Sequence, residues 1–387
     1  MTDSIDYSHI LHHLGEDTLP FNAVSPPIFQ TSNFCFDSFE SFQAALTAGE
    51  RHLIYSRGNN PTVNLVEQKI AALEKAPGAK LVSAGVAAIC ASIMVFVKAG
   101  DHVICVKDCY SWTRRLLESY LPRFGVEHTF VEGSDSAEFE RAIRPTTRVI
   151  FLESPTTFTF KLQDLARVSR IARPRGIKTV IDSTWGTPIF TNPLDFGIDL
   201  VVHSVSKYMG GHSDVIAGAV AGSEEDIERI FATEFRQLGT VPDPLMAWLV
   251  LRGLRTLQVR MQAIFEKTLE VARHLQVHPA VESVFYPFLE SHPQYALVRA
   301  QMRGGGGLFS IRLKTRDLAA VKRFTNALRV FKRAVSWGGY ESLAFPDAAR
   351  YRSDPPEDRI SLVRLYIGLE AKDILWSDLA QALEQLR

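Results

Sequence analysis

From Pro61 onward the chain alternates helical and strand signals almost without a break, and that rhythm confines it to a narrow set of folds. Residues 62–75 place Val63, Val66, Ile70 and Leu73 at helical spacing. Short apolar runs follow at 81–83, 102–106, 127–131, 148–153, 178–182 and 199–203. Helical stretches fall between them, at 86–97, at 114–121 and around Leu162, Leu165, Val168 and Ile171. Strands that are apolar throughout, each followed by a helix, predict an α/β fold with a mostly parallel central sheet covered on both faces. In such sheets ligands sit beyond the carboxyl ends of the strands.

The rhythm changes at both ends. After Pro244 one long helix at 245–276 leads into a smaller α+β unit, with a strand at 308–313 and helices over 317–328 and 373–386. Residues 1–60 carry Pro20, Pro26 and Pro27 and no sustained period, so they read as an extended arm packing on another subunit. The expected division is an arm at 1–60, a large ligand-binding domain at 61–247 and a small C-terminal domain at 248–387.

Formal net charge is zero, from 43 basic and 43 acidic residues. Nothing in that balance favours nucleic acid or an anionic membrane as partner. Cys35, Cys90, Cys105 and Cys109 lack metal-ligand or disulfide spacing, so reduced thiols and no metal centre are expected. Residues 1–6 have no basic or apolar leader pattern, which points to a cytoplasmic location. The apolar stretch at 81–97 contains Ser83, Gly85 and Ser92 and reads as strand, turn and helix rather than a membrane span.

The chemistry concentrates in Asp199-Leu-Val-Val-His-Ser-Val-Ser-Lys-Tyr-Met-Gly-Gly-His-Ser213. A strand there delivers Ser204, Ser206 and Lys207 to a glycine turn. A lysine can form an imine with an aldehyde, and the two hydroxyls are spaced to bind a phosphate. Pyridoxal 5′-phosphate (PLP) answers both requirements, with Lys207 as its Schiff-base partner. Taken alone, a lysine after a strand is more often a plain surface residue.

PLP chemistry needs more than a lysine, and each further group has a candidate. Asp182, ending its strand, either pairs with the pyridine nitrogen or caps the next turn. Tyr110 either stacks on the ring or is a half-buried loop tyrosine. Gly85 and Val86 open a helix whose N–H groups suit a phosphate. Tyr55 and Arg57 lie two apart on an extended segment and point the same way, toward a phosphate or toward solvent. Arg364, inside an apolar strand, needs a counter-charge, either a substrate carboxylate or an internal salt bridge. The loop Ser336-Trp-Gly-Gly-Tyr-Glu-Ser-Leu343 either walls a small ligand or packs the core.

Together these motifs resemble the Cys/Met metabolism family of PLP-dependent enzymes. The likeness runs through Tyr55-Ser-Arg-Gly-Asn-Asn-Pro-Thr62, Ser83-Ala-Gly-Val86, Phe151-Leu-Glu-Ser-Pro155, Ile181-Asp-Ser-Thr-Trp185, the Lys207 segment, Gly253-Leu-Arg-Thr-Leu257 and Arg364-Leu-Tyr-Ile-Gly-Leu-Glu370. It implies the fold type I architecture of aspartate aminotransferase. It further implies that Lys207 carries the cofactor, Asp182 partners the pyridine nitrogen, and Tyr110 stacks and aids proton transfer. Gly85, Val86, Ser204 and Ser206 would hold the phosphate. Arg364, with Ser336 and beside Trp337, would hold the substrate carboxylate. Tyr55 and Arg57 would reach a neighbouring subunit's phosphate, giving a homodimer with shared sites that assembles as a tetramer. Ser336-Trp337 is similar to bacterial cystathionine β-lyases, and Trp112 stands where methionine γ-lyases carry a cysteine. Two positions depart from the usual pattern: Ser183 replaces an asparagine, and Glu153-Ser-Pro-Thr-Thr157 lacks one after its proline. The expected activity is α,β-elimination on cystathionine-type substrates, giving homocysteine, pyruvate and ammonia, with γ-elimination or γ-replacement as the alternative.

Overall fold

A computed structural model describes residues 6–48 and 52–386. The polar start at 1–5, part of the expected arm at 49–51 and the last residue lie outside the described residues.

Seven strands form the larger sheet: β1 (Gly78–Val82), β2 (His102–Val106), β3 (Glu127–Val131), β4 (Thr147–Glu153), β5 (Lys178–Asp182), β6 (Leu200–His203) and β7 (Gly218–Gly222). Their spatial order is β1-β7-β6-β5-β4-β2-β3. Strands β2 to β6 pair in parallel, whereas β7 runs antiparallel to both β6 and β1. β1 therefore points the same way as β6. The carboxyl ends of β1, β2, β4, β5 and β6 all open at one edge of the sheet.

The parallel strands are continuous apolar runs because helices cover both faces: Phe151, Val180, Leu200 and Val201 are fully buried. β7 was not expected. Its Gly-Ala-Val-Ala-Gly sequence carries little of the β-branched signal that marks strands. Small residues are required there, because a Cβ on Gly218 would strike Ala84 O and one on Gly222 would meet Asp199 O at 2.8 Å.

The second sheet holds β8 (Val281–Phe285), β9 (Leu308–Leu313), β10 (Lys332–Arg333), β11 (Leu343–Pro346) and β12 (Leu362–Tyr366), in the order β10-β11-β12-β9-β8. All its pairings are antiparallel except β10 with β11.

Three expectations need correction. The arm is not extended throughout: it contains α1 (Tyr7–His12) and α2 (Phe39–Thr47). α1 packs on its own chain, with Leu11 fully buried and Lys69 Nζ donating to Ile10 O at 2.8 Å. The helix expected at 245–276 is two helices, Pro244–Arg255 and Leu257–Gln276, separated at Thr256 (φ −108°, ψ 6°). The helix expected at 114–121 is a short turn, Ser111–Arg115, that widens into a π turn at Leu116–Tyr120 and tightens at Leu121–Phe124.

The apolar stretch at 81–97 resolves into the end of β1, a turn and a helix at Gly85–Met94. Among the described residues, no helix is long and apolar enough to cross a membrane.

Candidate active site

The open edge of the larger sheet gathers most of the expected residues. Gly85 follows β1, Tyr110 follows β2, Glu153 ends β4, Asp182 ends β5, and Ser204 to Lys207 follow β6. Arg364 comes from the middle of β12 in the other sheet. All of them but Val205 line one cleft of about 1340 Å³, together with Val86, Ser336 and Trp337.

Lys207 sits deep in this cleft. Its Nζ donates to Ser336 Oγ at 2.5 Å and lies 5.8 Å from the Trp337 ring centroid. Burial, and then the Arg364 guanidinium, push the ammonium pKa down to about 8, with Asp182 pulling the other way. Trp337 in turn packs on Tyr208, ring centroids 5.2 Å apart. The Lys207 turn is fixed from below by Arg260, which donates to Tyr208 O at 2.8 Å and to Gly253 O at 2.7 Å. Gly253 lies close against this turn, where a Cβ would strike Gly210 O and Met209 O.

Asp182 Oδ1 accepts from Thr184 N at 3.0 Å and from Thr184 Oγ1 at 2.5 Å. Oδ2 accepts from no described residue. Burial raises the carboxyl pKa, the Thr184 donors lower it, and His203 and Lys207 lower it further. Glu153 is the register partner of Asp182 across β4 and β5. It accepts the Tyr110 backbone N–H at 2.6 Å, and burial followed by Asp182 raises its pKa well above the carboxylate range.

The phosphate candidates differ among themselves. The helix at Gly85–Met94 has no side-chain cap at its start, so its first N–H groups stay open to an anion. Gly85 is required there, because a Cβ would meet Ser204 Cβ at 2.7 Å and Oγ at 2.8 Å. Ser204 N donates to Thr184 Oγ1 at 2.8 Å, leaving its hydroxyl to the cleft. Ser206 is more occupied: its hydroxyl donates to Ala217 O at 3.2 Å and accepts from Ala217 N at 2.9 Å.

Arg364 forms no ion pair among the described residues, so the internal salt bridge left open by the sequence is not there. Its guanidinium lies 4.9 Å from the Phe158 ring centroid and 5.3 Å from that of Phe345, and Nη1 donates to Thr157 Oγ1 at 3.4 Å. Burial pulls its pKa down to about 10. A largely buried guanidinium that faces the cleft and forms no ion pair with a described residue has the chemistry to bind a carboxylate.

Tyr55 and Arg57 do not reach the cleft. Both are exposed, with the Arg57 guanidinium 5.3 Å from the Tyr55 ring centroid. Thr184, Glu153 and Phe158 were not foreseen as site residues. Only Thr184 carried a local signal, a threonine two positions after an aspartate, where its groups reach back to that carboxylate.

A lysine able to form an imine, an acid with one oxygen and an arginine that no described residue pairs, and an open helix start cradled by Gly85 together fit PLP and an amino-acid substrate. A family model described as Cys/Met metabolism PLP-dependent enzyme matches residues 8–384. The chain belongs to this family. PLP is therefore its cofactor. The L-methionine gamma-lyase of Treponema denticola is 38% identical over 384 residues, 97% of this chain and 96% of that protein. Cystathionine beta-lyase MetC of Bacillus subtilis is 37% identical over 371 residues, 94% and 92% of the two chains. The crystal structure of metB from Corynebacterium glutamicum superimposes with a TM-score of 0.91 at 31% identity, covering 98% of each chain. The fold is accordingly the type I fold, as expected. Identity does not set the chain apart from methionine γ-lyases as Trp112 had suggested; that of Pseudomonas deceptionensis is 40% identical.

Proposed function

We propose that this chain is a carbon–sulfur lyase that breaks the Cβ–S bond of cystathionine-type amino acids. The family and its lyase relatives support the general part, PLP-dependent cleavage of a sulfur amino acid. The choice of the β bond is supported by Ser336-Trp337, the pair similar to bacterial cystathionine β-lyases, which the fold seats on Lys207.

Bound PLP supplies an aldehyde that condenses with amines and a ring that withdraws electrons from the substrate's Cα. Lys207 would hold the aldehyde, Asp182 Oδ2 the pyridine nitrogen, and the N–H groups of Gly85 and Val86 with the Ser204 hydroxyl the phosphate. Tyr110, fixed through its backbone by Glu153, would cover the ring. Arg364 orients the substrate by its α-carboxylate, with Ser336 beside it, so that the Cα–H bond faces Lys207. With the substrate so held, Lys207 Nζ would take the Cα proton, as its lowered pKa favours at neutral pH. The electron pair moves toward Cβ, the Cβ–S bond breaks, and the departing thiolate receives a proton from Lys207 or Tyr110. The remaining three-carbon enamine hydrolyses to pyruvate and ammonia.

Tyr55 and Arg57, exposed and away from their own cleft, fit a role at a neighbouring subunit's phosphate in a homodimer or a tetramer built from it. A cytoplasmic setting in sulfur amino-acid metabolism, including methionine biosynthesis, suits this reaction.

The observation that carries the reading is the 2.5 Å contact between Lys207 Nζ and Ser336 Oγ within a cleft that also exposes Arg364. A second reading, γ-elimination, is favoured by the methionine γ-lyase relatives. Product analysis with purified enzyme and cystathionine decides between them. Pyruvate with homocysteine supports β-cleavage, whereas 2-oxobutanoate with cysteine overturns it in favour of the γ reaction.

A further inference from the structure

Beyond Arg364, the outer wall of the cleft carries a second arginine in a related setting. Arg350 closes the turn Asp347–Arg350 that follows β11, and it lines the same cleft. Its guanidinium lies 5.5 Å from the ring centroid of Phe158, the ring that Arg364 approaches to 4.9 Å. One aromatic side chain therefore has both cations against it. The two guanidinium carbons are separated by no more than those two spans laid end to end.

The Arg350 charge is only partly compensated. Fully buried Asp347 is shared between Arg350 Nη1 at 3.2 Å and Arg359 Nη1 at 3.3 Å. A guanidinium has five N–H donors in a planar fork. The remaining donors of Arg350 bond to no described residue, and its side chain is 42% exposed. Asp347 thus holds the arginine in place while leaving a cationic fork open to the cleft. Phe158 is itself positioned by Asp108, whose Oδ2 accepts its N–H at 3.3 Å and the Thr159 hydroxyl at 2.6 Å.

We propose that Arg350 binds the distal carboxylate of a thioether that bears carboxylates at both ends, the proximal one being held by Arg364. A thioether with three methylenes between its two amino-acid ends spans about 9 Å between carboxyl carbons when extended. That length falls within the upper bound that the two spans to the shared ring set. Phe158, against which both cations lie, offers an apolar surface to the sulfur-bearing chain of such a substrate. Methionine has no second carboxylate and gains nothing from Arg350. The assignment rests on the proposed function only in taking Arg364 as the α-carboxylate receptor.

The test is a comparison of Arg350→Ala with wild type on cystathionine and on two monocarboxylates, S-methylcysteine and methionine. The KM for cystathionine rises about 10–100-fold, the loss typical of a hydrogen bond to a charged group. The KM for whichever monocarboxylate is turned over moves by less than about two-fold. Arg350→Lys recovers part of the loss. Equal changes on both substrate types would reveal general damage to the cleft and overturn the assignment, as would no change on either. A wild-type enzyme without preference for the dicarboxylate overturns it too. Release of 2-oxobutanoate from cystathionine would sink the β-elimination reading and leave the KM contrast intact, so the two failures are separable.

Discussion

Gly338 rests its bare α-carbon on the backbone of Lys207: a Cβ there would meet Lys207 C at 2.7 Å and Lys207 Cα at 2.8 Å. Gly338 also has φ +94°, and Ser336, two residues before it, has φ +74°. The loop that brings Ser336 Oγ to Lys207 Nζ is thus held by left-handed backbone and by a contact only glycine permits.

Gly338→Ala is expected to push this loop off the lysine. Turnover falls at least ten-fold, and stability drops by about 1–3 kcal/mol from strain and overpacking. Steady-state kinetics and thermal unfolding read the two effects separately. Wild-type kinetics would show that the Ser336 contact is dispensable.

Lys207→Ala removes both the proposed covalent partner of the cofactor and the proposed base. General acid–base help alone is worth ~10²–10⁴-fold, so the loss should exceed that range. Reduction with borohydride, followed by mass spectrometry, should find the cofactor adduct on Lys207 in wild type and none in the variant. An adduct on another lysine would move the site.

Arg364→Ala should leave cofactor absorbance unchanged while raising KM about 10–100-fold, because a charged hydrogen-bonded pair with the substrate is lost. An unaltered KM on every amino acid tested would remove Arg364 from the substrate site.

Gly85→Ala tests the phosphate cradle without touching the lysine. The added methyl would meet Ser204 Cβ and Oγ below 3 Å. Moving Ser204 displaces one phosphate donor and crowds the open helix start, so cofactor affinity should fall about ten-fold or more. Titration of the apoenzyme with PLP measures it.

His102 supplies a stability prediction away from the site. It is fully buried, with its ring nitrogens 2.9 Å from Thr147 Oγ1 and from Thr129 Oγ1. Burial, and then Arg144, push its pKa from 6.5 down to about 4. The folded state therefore binds fewer protons than the unfolded state between these values. The stability it contributes is full above about pH 6.5 and is lost as pH falls toward about 4. His102→Gln should flatten that part of the unfolding-versus-pH curve; an unchanged slope would mean that His102 is not its source.

The sequence by itself determined the sheet and the positions where chemistry leaves it. Apolar runs fix parallel strands because a sheet covered on both faces tolerates little else, and Asp182 and Lys207 follow those runs directly. β7 escaped because its glycines and alanines answer to neighbours distant in sequence, Ala84 and Asp199, rather than to strand propensity. The helix break at Thr256 and the π turn after Arg115 were likewise not legible, since an apolar period marks a helix without marking where its turns widen or stop. Only the tertiary structure decided that Arg364 forms no ion pair among the described residues, that Ser206 is engaged with Ala217, and that Glu153 anchors Tyr110. It alone brought Arg350 and Arg364 onto one phenylalanine ring. Burial and charge compensation are set by contacts between separate elements of the fold rather than by local spacing.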